Sequence, residues 1–194
     1  MLQAFLVSIS VVTLAEIGDK TQLLCLMLSA RYKKPIPIIL GVLTATLANH
    51  AGAGALGTWL SGVLNPTILN WAIVASFVLM AIWVLVPERS DAAEAAVPRR
   101  GLGVYGTTAV ALFVAEMGDK TQIATIALAA RFHDFVAVVA GTTLAMLIAD
   151  VPVIYLGQRF ADRLPAKTVH VIACIMFLIL GALALRNALA QSSI

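Results

Sequence analysis

A charged octapeptide occurs twice in this chain and constrains its fold more than any other feature. Its letters are AEIGDKTQ at 15–22 and AEMGDKTQ at 115–122, so seven of eight positions match across an offset of 100 residues. Both copies interrupt long apolar stretches, where a membrane environment makes acidic and basic side chains costly. Charged residues in such a place mark a functional site, and two copies predict two halves of one site.

The composition indicates an integral membrane protein. Hydrophobic residues make up 61% of the 194 positions and charged residues 12%, against about 25% charged in ordinary soluble domains. A helical span needs about 20 apolar residues, and the alternating pattern of a membrane barrel is absent from these runs. We therefore predict an all-α membrane protein with six transmembrane helices. The apolar segments run over 2–30, 36–60, 68–86, 102–130, 135–157 and 168–189.

The repeat extends beyond the octapeptide, because the same offset aligns Gly41 with Gly141 without gaps. We predict a first three-helix repeat at 1–86, a charged linker loop at 87–101 and a second three-helix repeat at 102–194. An odd number of helices per repeat turns the second repeat over relative to the first. The result is the inverted-repeat architecture of many secondary transporters, with the substrate near the membrane midplane.

The first and fourth apolar segments are each 29 residues long. A straight helix needs fewer residues to cross about 30 Å of hydrocarbon at about 1.5 Å per residue. Such a segment must tilt, protrude or break. Gly18 and Gly118, each set among the charged residues of a motif, are the expected break points.

Most basic residues lie in short loops on one side of the predicted helices. Nine Lys or Arg side chains fall on the side opposite the N-terminus, and two fall on the N-terminal side. By the positive-inside rule we expect both termini outside, in a bilayer that we take to be a bacterial inner membrane. Because these bases report topology, the formal net charge of +3 does not indicate a nucleic-acid partner.

Each motif brings acidic, basic and amide groups to one helix face. Glu16 and Asp19 are three residues apart, and Gln22 follows at the same spacing. Lys20 is four residues from Glu16 and could bridge to it. The second motif repeats this pattern. The predicted metal ligands are Glu16, Asp19, Gln22, Glu116, Asp119 and Gln122.

The charges of the paired motifs suit an exchange of a metal ion for protons. Four carboxylates and two lysine ammonium groups sum to −2, which one divalent cation or two protons would neutralise. Carboxylate, amide and backbone oxygens are the hard donors that Mn²⁺, Ca²⁺ and Mg²⁺ prefer, and neither motif contains Cys or His. The alternative is that the charges pair internally and only lock two helices together, a role that small-residue packing fills at less cost.

Further polar residues in the apolar segments are candidates for proton coupling or accessory roles. His50 and Asp150 occupy equivalent positions in the two halves, and either could relay protons. The alternatives are a satisfied interhelical hydrogen bond for His50, and contact with water or a lysine near a helix end for Asp150. Threonines of the motifs could cap the interrupted turns or ligate metal. The accessory candidates are Lys20, Lys120, Asp150, His50, Thr21 and Thr121.

The doubled sequence E-x-G-D-K-T-Q resembles the cation/proton exchanger family that includes bacterial manganese exporters of the MneA type and the Golgi calcium/manganese transporters. The likeness covers essentially the whole chain, and both copies match without substitution. The resemblance implies exchange of Mn²⁺ or Ca²⁺ against protons, with no cofactor besides the transported ion. It implies that the metal is bound by Glu16, Asp19, Glu116 and Asp119.

The favoured hypothesis is a secondary active transporter that exports Mn²⁺, or else Ca²⁺, by alternating access around the paired motifs. The alternative is an exporter of small cationic organic solutes such as basic amino acids, although Lys20 and Lys120 would repel such a substrate. An enzyme is not expected, because the chain has three His residues and no HExxH motif. The ligand types do not rank Mn²⁺ against Ca²⁺, and the sequence leaves the oligomeric state open.

Overall fold

The computed structural model describes residues 1–86, 101–156 and 166–192, and these are helical with no strand. The linker predicted at 87–101 therefore lies almost wholly outside the described residues. The described residues form eight helices: α1 (Leu2–Glu16), α2 (Lys20–Tyr32), α3 (Pro35–Val63), α4 (Pro66–Trp83), α5 (Gly103–Glu116), α6 (Lys120–Phe132), α7 (Phe135–Leu156) and α8 (Ala166–Ser192). Proline begins α3 and α4, a position that its fixed φ favours, and a left-handed residue follows the end of α2 and of α6.

Both long apolar segments are broken at the predicted glycines. The first is divided into α1 and α2, and the second into α5 and α6, with three non-helical residues at each break. Gly18 has φ of 83° and Gly118 has φ of 73°, a left-handed conformation that glycine adopts without steric cost. The prediction of a break at each motif is confirmed, and α1 meets α2 at an angle of 69°.

Four helices, namely α3, α4, α7 and α8, are long and apolar enough to cross a membrane. The bent pair α1–α2 gives a fifth candidate span. Helix α5, at 14 residues, is apolar but short of a full crossing by itself. The described residues therefore show four or five candidate spans, where the sequence predicted six.

The two halves pack in equivalent ways. Helix α1 lies along α7, and its counterpart α5 lies along α3. A Cβ added to Gly41 would come 2.7 Å from Thr108 Cβ, and one added to Gly141 would come 3.0 Å from Ser8 Cβ. These two close contacts are related by the offset of 100, so the same small-residue approach of two helices occurs twice, each time between one half and the other.

Helices α4 and α8, the last of each half, pack against each other. Phe77 of α4 and Phe177 of α8 are equivalent by the offset of 100, and their ring centroids are 6.4 Å apart. Both rings are buried. Equivalent residues that contact each other are what a two-fold relation between two units produces.

One pair of equivalent helices is packed differently. Helix α6 contacts α3 and α4 extensively, whereas α2 makes no comparable contact with α8 within the described ranges. Ala130 of α6 is 3% exposed, while the equivalent Ala30 of α2 is exposed. Gly57 of α3 permits the close approach of α6, because a Cβ there would clash with the Ile126 carbonyl.

The contact at Gly57 predicts opposite outcomes for two glycines of one helix. Gly57→Ala should destabilise the protein by about 1–3 kcal/mol, because overpacking forces the backbones of α3 and α6 apart. Gly52→Ala is the matched control, since nothing lies within 4 Å of a Cβ at that position. Thermal unfolding of the purified protein in detergent would report both, and equal melting temperatures for the two variants would contradict the packing described.

Candidate cation-binding site

Each motif places its aspartate at the start of a helix. Asp19 is the residue before α2 and Asp119 the residue before α6, where Asp119 Oδ2 accepts from the Thr121 hydroxyl at 3.2 Å. A carboxylate at this position is favoured by the helix dipole and by the unpaired N–H groups of the first turn. The aspartates therefore occupy the capping positions of these helices. The threonines, for which a capping role was an alternative, lie one residue inside each helix.

The motif glutamines close the two breaks. Gln22 Oε1 accepts a hydrogen bond from the Gly18 N–H, and Gln122 Oε1 accepts one from the Gly118 N–H, each at 2.9 Å. The Gln22 amide also donates to the Ala149 carbonyl of α7 at 2.9 Å. These bonds satisfy backbone groups that the break would leave unpaired in an apolar environment.

Two ion pairs join the motifs reciprocally. Lys20 Nζ lies 2.7 Å from Asp119 Oδ1, and Lys120 Nζ pairs with Asp19 Oδ1. All four side chains are largely buried, with Lys20 the most exposed at 17%. Lys20 thus has a partner in the opposite motif, beyond the Glu16 of its own motif that the spacing suggested.

Three carboxylates converge beside these pairs. One oxygen each of Glu16, Asp19 and Asp119 lies within 4.8 Å of the others, and all three residues are buried. Charges of one sign at such a distance repel strongly where the dielectric constant is low. A divalent cation between them would relieve this repulsion with oxygen ligands of the preferred kind.

The glutamates have different partners. Glu16 accepts a hydrogen bond from Thr21 of its own motif, and within the described chain its Oε2 has no hydrogen-bond partner. Glu116 accepts from Thr46 at 3.1 Å and from Asn49 at 3.2 Å, both on α3. Thr46 was not identified as a candidate from the sequence, and neither it nor Asn49 was placed at the site. The sequence signal that could have identified them is their spacing: Thr46 and Asn49 are polar residues about one helical turn apart in an apolar helix, just before His50.

His50 and Asp150 are both fully buried. Neither ring nitrogen of His50 has a hydrogen-bond partner among the described residues, so the expectation of a satisfied interhelical bond is not supported. Asp150 lies beside the Cys25 thiol, and its oxygens have no nitrogen or oxygen partner in the described part of the chain. Its complete burial argues against contact with water near a helix end.

The fold and the site together define a polytopic helical membrane protein with a buried acidic centre made by two copies of one motif. The family model described as "Divalent cation/proton antiporter GDT1" matches this chain twice, over residues 4–92 and 104–192. The chain belongs to the GDT1 family. It is accordingly a transporter of the cation/proton antiporter class rather than an enzyme, and an integral membrane protein.

Individual relatives extend along nearly the whole chain. A protein of Vibrio cholerae serotype O1, named as a candidate manganese exporter, is 47% identical over 176 residues, which cover 90% of this chain and 86% of that protein. A GDT1-like protein of Synechocystis is 32% identical, covering 91% of this chain and 94% of its own length. A GDT1-like protein of Arabidopsis thaliana is 22% identical over 88% of this chain and 66% of its own. No solved structure matches the chain.

The reciprocal ion pairs predict a strong coupling between Asp19 and Lys120. Lys120→Met should lower the free energy of unfolding of metal-free protein by about 3–5 kcal/mol, because it removes one partner of a buried ion pair. The double variant Asp19→Asn, Lys120→Met should recover most of this loss. Unfolding of both variants in detergent measures the coupling, and additive losses in the double variant would contradict the pairing.

Proposed function

We propose that this protein is a secondary active antiporter that exports Mn²⁺, with Ca²⁺ the second choice, in exchange for protons. The observation that carries the proposal is the buried cluster of Glu16, Asp19 and Asp119, which draws ligands from both motifs. The family supports cation/proton exchange. The name of the Vibrio cholerae relative favours manganese.

The charge of the centre can be neutralised either by one divalent cation or by two protons. The four motif carboxylates and two lysines sum to −2, so that one divalent cation or two protons make the centre neutral. All three members of the cluster are carboxylates, and hard oxygen ligands suit Mn²⁺ and Ca²⁺. Proton binding to the carboxylates removes the ligand charge and would release the metal where the pH is lower.

The remaining motif residues have supporting parts in this proposal. Gln22 and Gln122 each use one lone pair of the amide oxygen in the hydrogen bond that closes the break, which leaves the second lone pair to ligate the ion. Lys20 pairs with Asp119, and Lys120 pairs with Asp19, in the metal-free state. When the ion binds, these ion pairs would be replaced by bonds between the aspartates and the metal. Thr21 and Thr121 orient carboxylates through their hydroxyls.

We propose six spans in two inverted repeats, with α1–α2 and α5–α6 each forming one broken span. Reciprocal contacts support a two-fold relation between the halves. Lys20 meets Asp119 as Lys120 meets Asp19, and Phe77 meets its own equivalent. Broken helices whose ends meet near the midplane are the usual setting of ion sites in such transporters.

The unequal packing of α2 and α6 supports alternating access. Helix α6 is docked on α3 and α4, whereas α2 has no comparable contact with α8 in the described ranges. Lys20 at 17% exposed, against 4% for Lys120, makes the α2 side the open one. Exchange of these two arrangements between the repeats would expose the same cluster to the opposite side.

From the positive-inside rule we propose that the C-terminal end of α2 lies in the cytoplasm and that both termini lie outside. We therefore propose a cytoplasm-facing state, in a bacterial inner membrane. Asp150 and His50 are buried, and their polar atoms have few hydrogen-bond partners among the described residues. We propose that they relay protons between the cluster and the cytoplasmic side.

Transport by inside-out vesicles with an acidic lumen tests the proposal. Mn²⁺ uptake should depend on the imposed pH gradient, and Asp19→Asn or Asp119→Asn should each reduce it about tenfold or more, since ligand charge sets affinity for hard cations. Competition by lysine or arginine would instead favour the export of cationic organic solutes. Folded protein that carries neither Mn²⁺ nor Ca²⁺ would contradict the proposal.

Asp134→Asn is the matched control for these variants. Asp134 lies between α6 and α7, 3.0 Å from the amino group of Met1. That amino group and the Ala137 N–H hold the pKa of Asp134 below its usual value, so the side chain is charged at neutral pH. Asp134→Asn removes one negative charge at a position outside the cluster, so it should leave the Mn²⁺ flux unchanged.

A further inference from the structure

The glutamates of the two motifs have different surroundings, each supplied by a helix of the other repeat. Glu116 accepts one hydrogen bond at each oxygen, from Thr46 Oγ1 at 3.1 Å and from Asn49 Nδ2 at 3.2 Å. The same Asn49 nitrogen lies 3.1 Å from the Phe113 carbonyl of α5. The backbone of α5 therefore fixes the amide that holds Glu116, and all three polar side chains are at most 4% exposed.

The second repeat offers no such pair of donors to Glu16. By the offset of 100, Thr46 and Asn49 correspond to Met146 and Ala149 of α7, which are buried and have no polar hydrogen to donate. Helix α7 packs on α1 as α3 packs on α5, so these side chains occupy the matching place opposite Glu16.

The consequence is visible in the positions of the carboxylates. Glu16, with one oxygen that has no partner in the described residues, belongs to the cluster with Asp19 and Asp119. Glu116, with both oxygens engaged by α3, is not a member of that cluster. The two motifs are thus alike in sequence, but their glutamates differ in the hydrogen bonds that hold them.

We propose that Thr46 and Asn49 are positioning residues that hold Glu116 apart from the ion in this conformation. The ion is then bound by Glu16, Asp19 and Asp119, and Glu116 joins them only when α5 moves against α3. This inference rests on the proposed function, because it concerns the same site. A transporter gains from such a restraint, since affinity for hard cations rises with the number of charged ligands and a fourth permanent carboxylate would slow release.

Removal of both donors tests the proposal. The variant Thr46→Val, Asn49→Leu keeps the side-chain shapes and frees Glu116 to enter the cluster. We expect Mn²⁺ to bind about tenfold more tightly, within the range that outer partners of metal ligands contribute, and the turnover number to fall by a similar factor. Isothermal titration and transport in proteoliposomes separate the two effects.

Two further variants identify the cause. Thr46→Ser retains the hydroxyl and should keep wild-type affinity and turnover. Adding Glu116→Gln to the variant without donors should abolish the gain in affinity, because the amide brings no charge to the ion. A gain that persists after Glu116→Gln would overturn the proposal.

The offset between the repeats offers a reciprocal test that does not depend on the α3 variant folding. Met146→Thr with Ala149→Asn places the same donors opposite Glu16. We expect Glu16 to be withdrawn from the cluster and the Kd for Mn²⁺ to rise about tenfold. Elution as a single species on size exclusion would establish that the variant is folded.

The outcomes separate this inference from the function on which it rests. Wild-type protein that binds Mn²⁺, together with unchanged or weaker binding in the folded α3 variant, would overturn the role of Thr46 and Asn49 alone. An unchanged Kd in the folded α7 variant would do the same. Wild-type protein that binds no divalent cation would overturn the proposed function and this inference with it.

Discussion

The reciprocal pairing of lysine and aspartate across the two motifs is the interaction on which the rest of the structure depends. Six ionisable groups meet in an apolar interior, where each isolated charge would be strongly unfavourable. The pairs Lys20–Asp119 and Lys120–Asp19 compensate four of these groups. Because each pair takes one member from each half, neither half can form a stable centre by itself.

The breaks in the helices follow from the same requirement. A continuous helix would carry Lys20 past Glu16 on one face, and its backbone would offer nothing to the centre. Glycine in a left-handed conformation turns α2 away from α1, which lets Lys20 reach the opposite motif. The glutamine of each motif then pairs the backbone N–H that the break frees.

Sequence reasoning identified the features that depend on residue type and spacing. The doubled motif, the helical class and the breaks at Gly18 and Gly118 could all be predicted, because charge in an apolar run and glycine within it have few structural explanations. The partner of each lysine could not be predicted, since it depends on the direction in which α2 leaves the break. Thr46 was missed for a related reason: nothing local shows which helix will face Glu116.

The equivalence of the halves is close in sequence and incomplete in structure. The small-residue contacts at Gly41 and Gly141 match, whereas α6 packs on α3 and α4 and α2 makes no comparable contact with α8 in the described ranges. The proposed alternating access rests on this difference in setting, because two equivalent motifs in equal settings would give the site no preferred side.

The number of Mn²⁺ ions bound per chain tests the central claim of one shared site most directly. Equilibrium dialysis of the purified protein, read by electron paramagnetic resonance, should give one ion per chain. Either Asp19→Asn or Asp119→Asn should remove that ion at the same free concentration. Two ions per chain, with one retained in each variant, would show two independent half-sites and contradict the account.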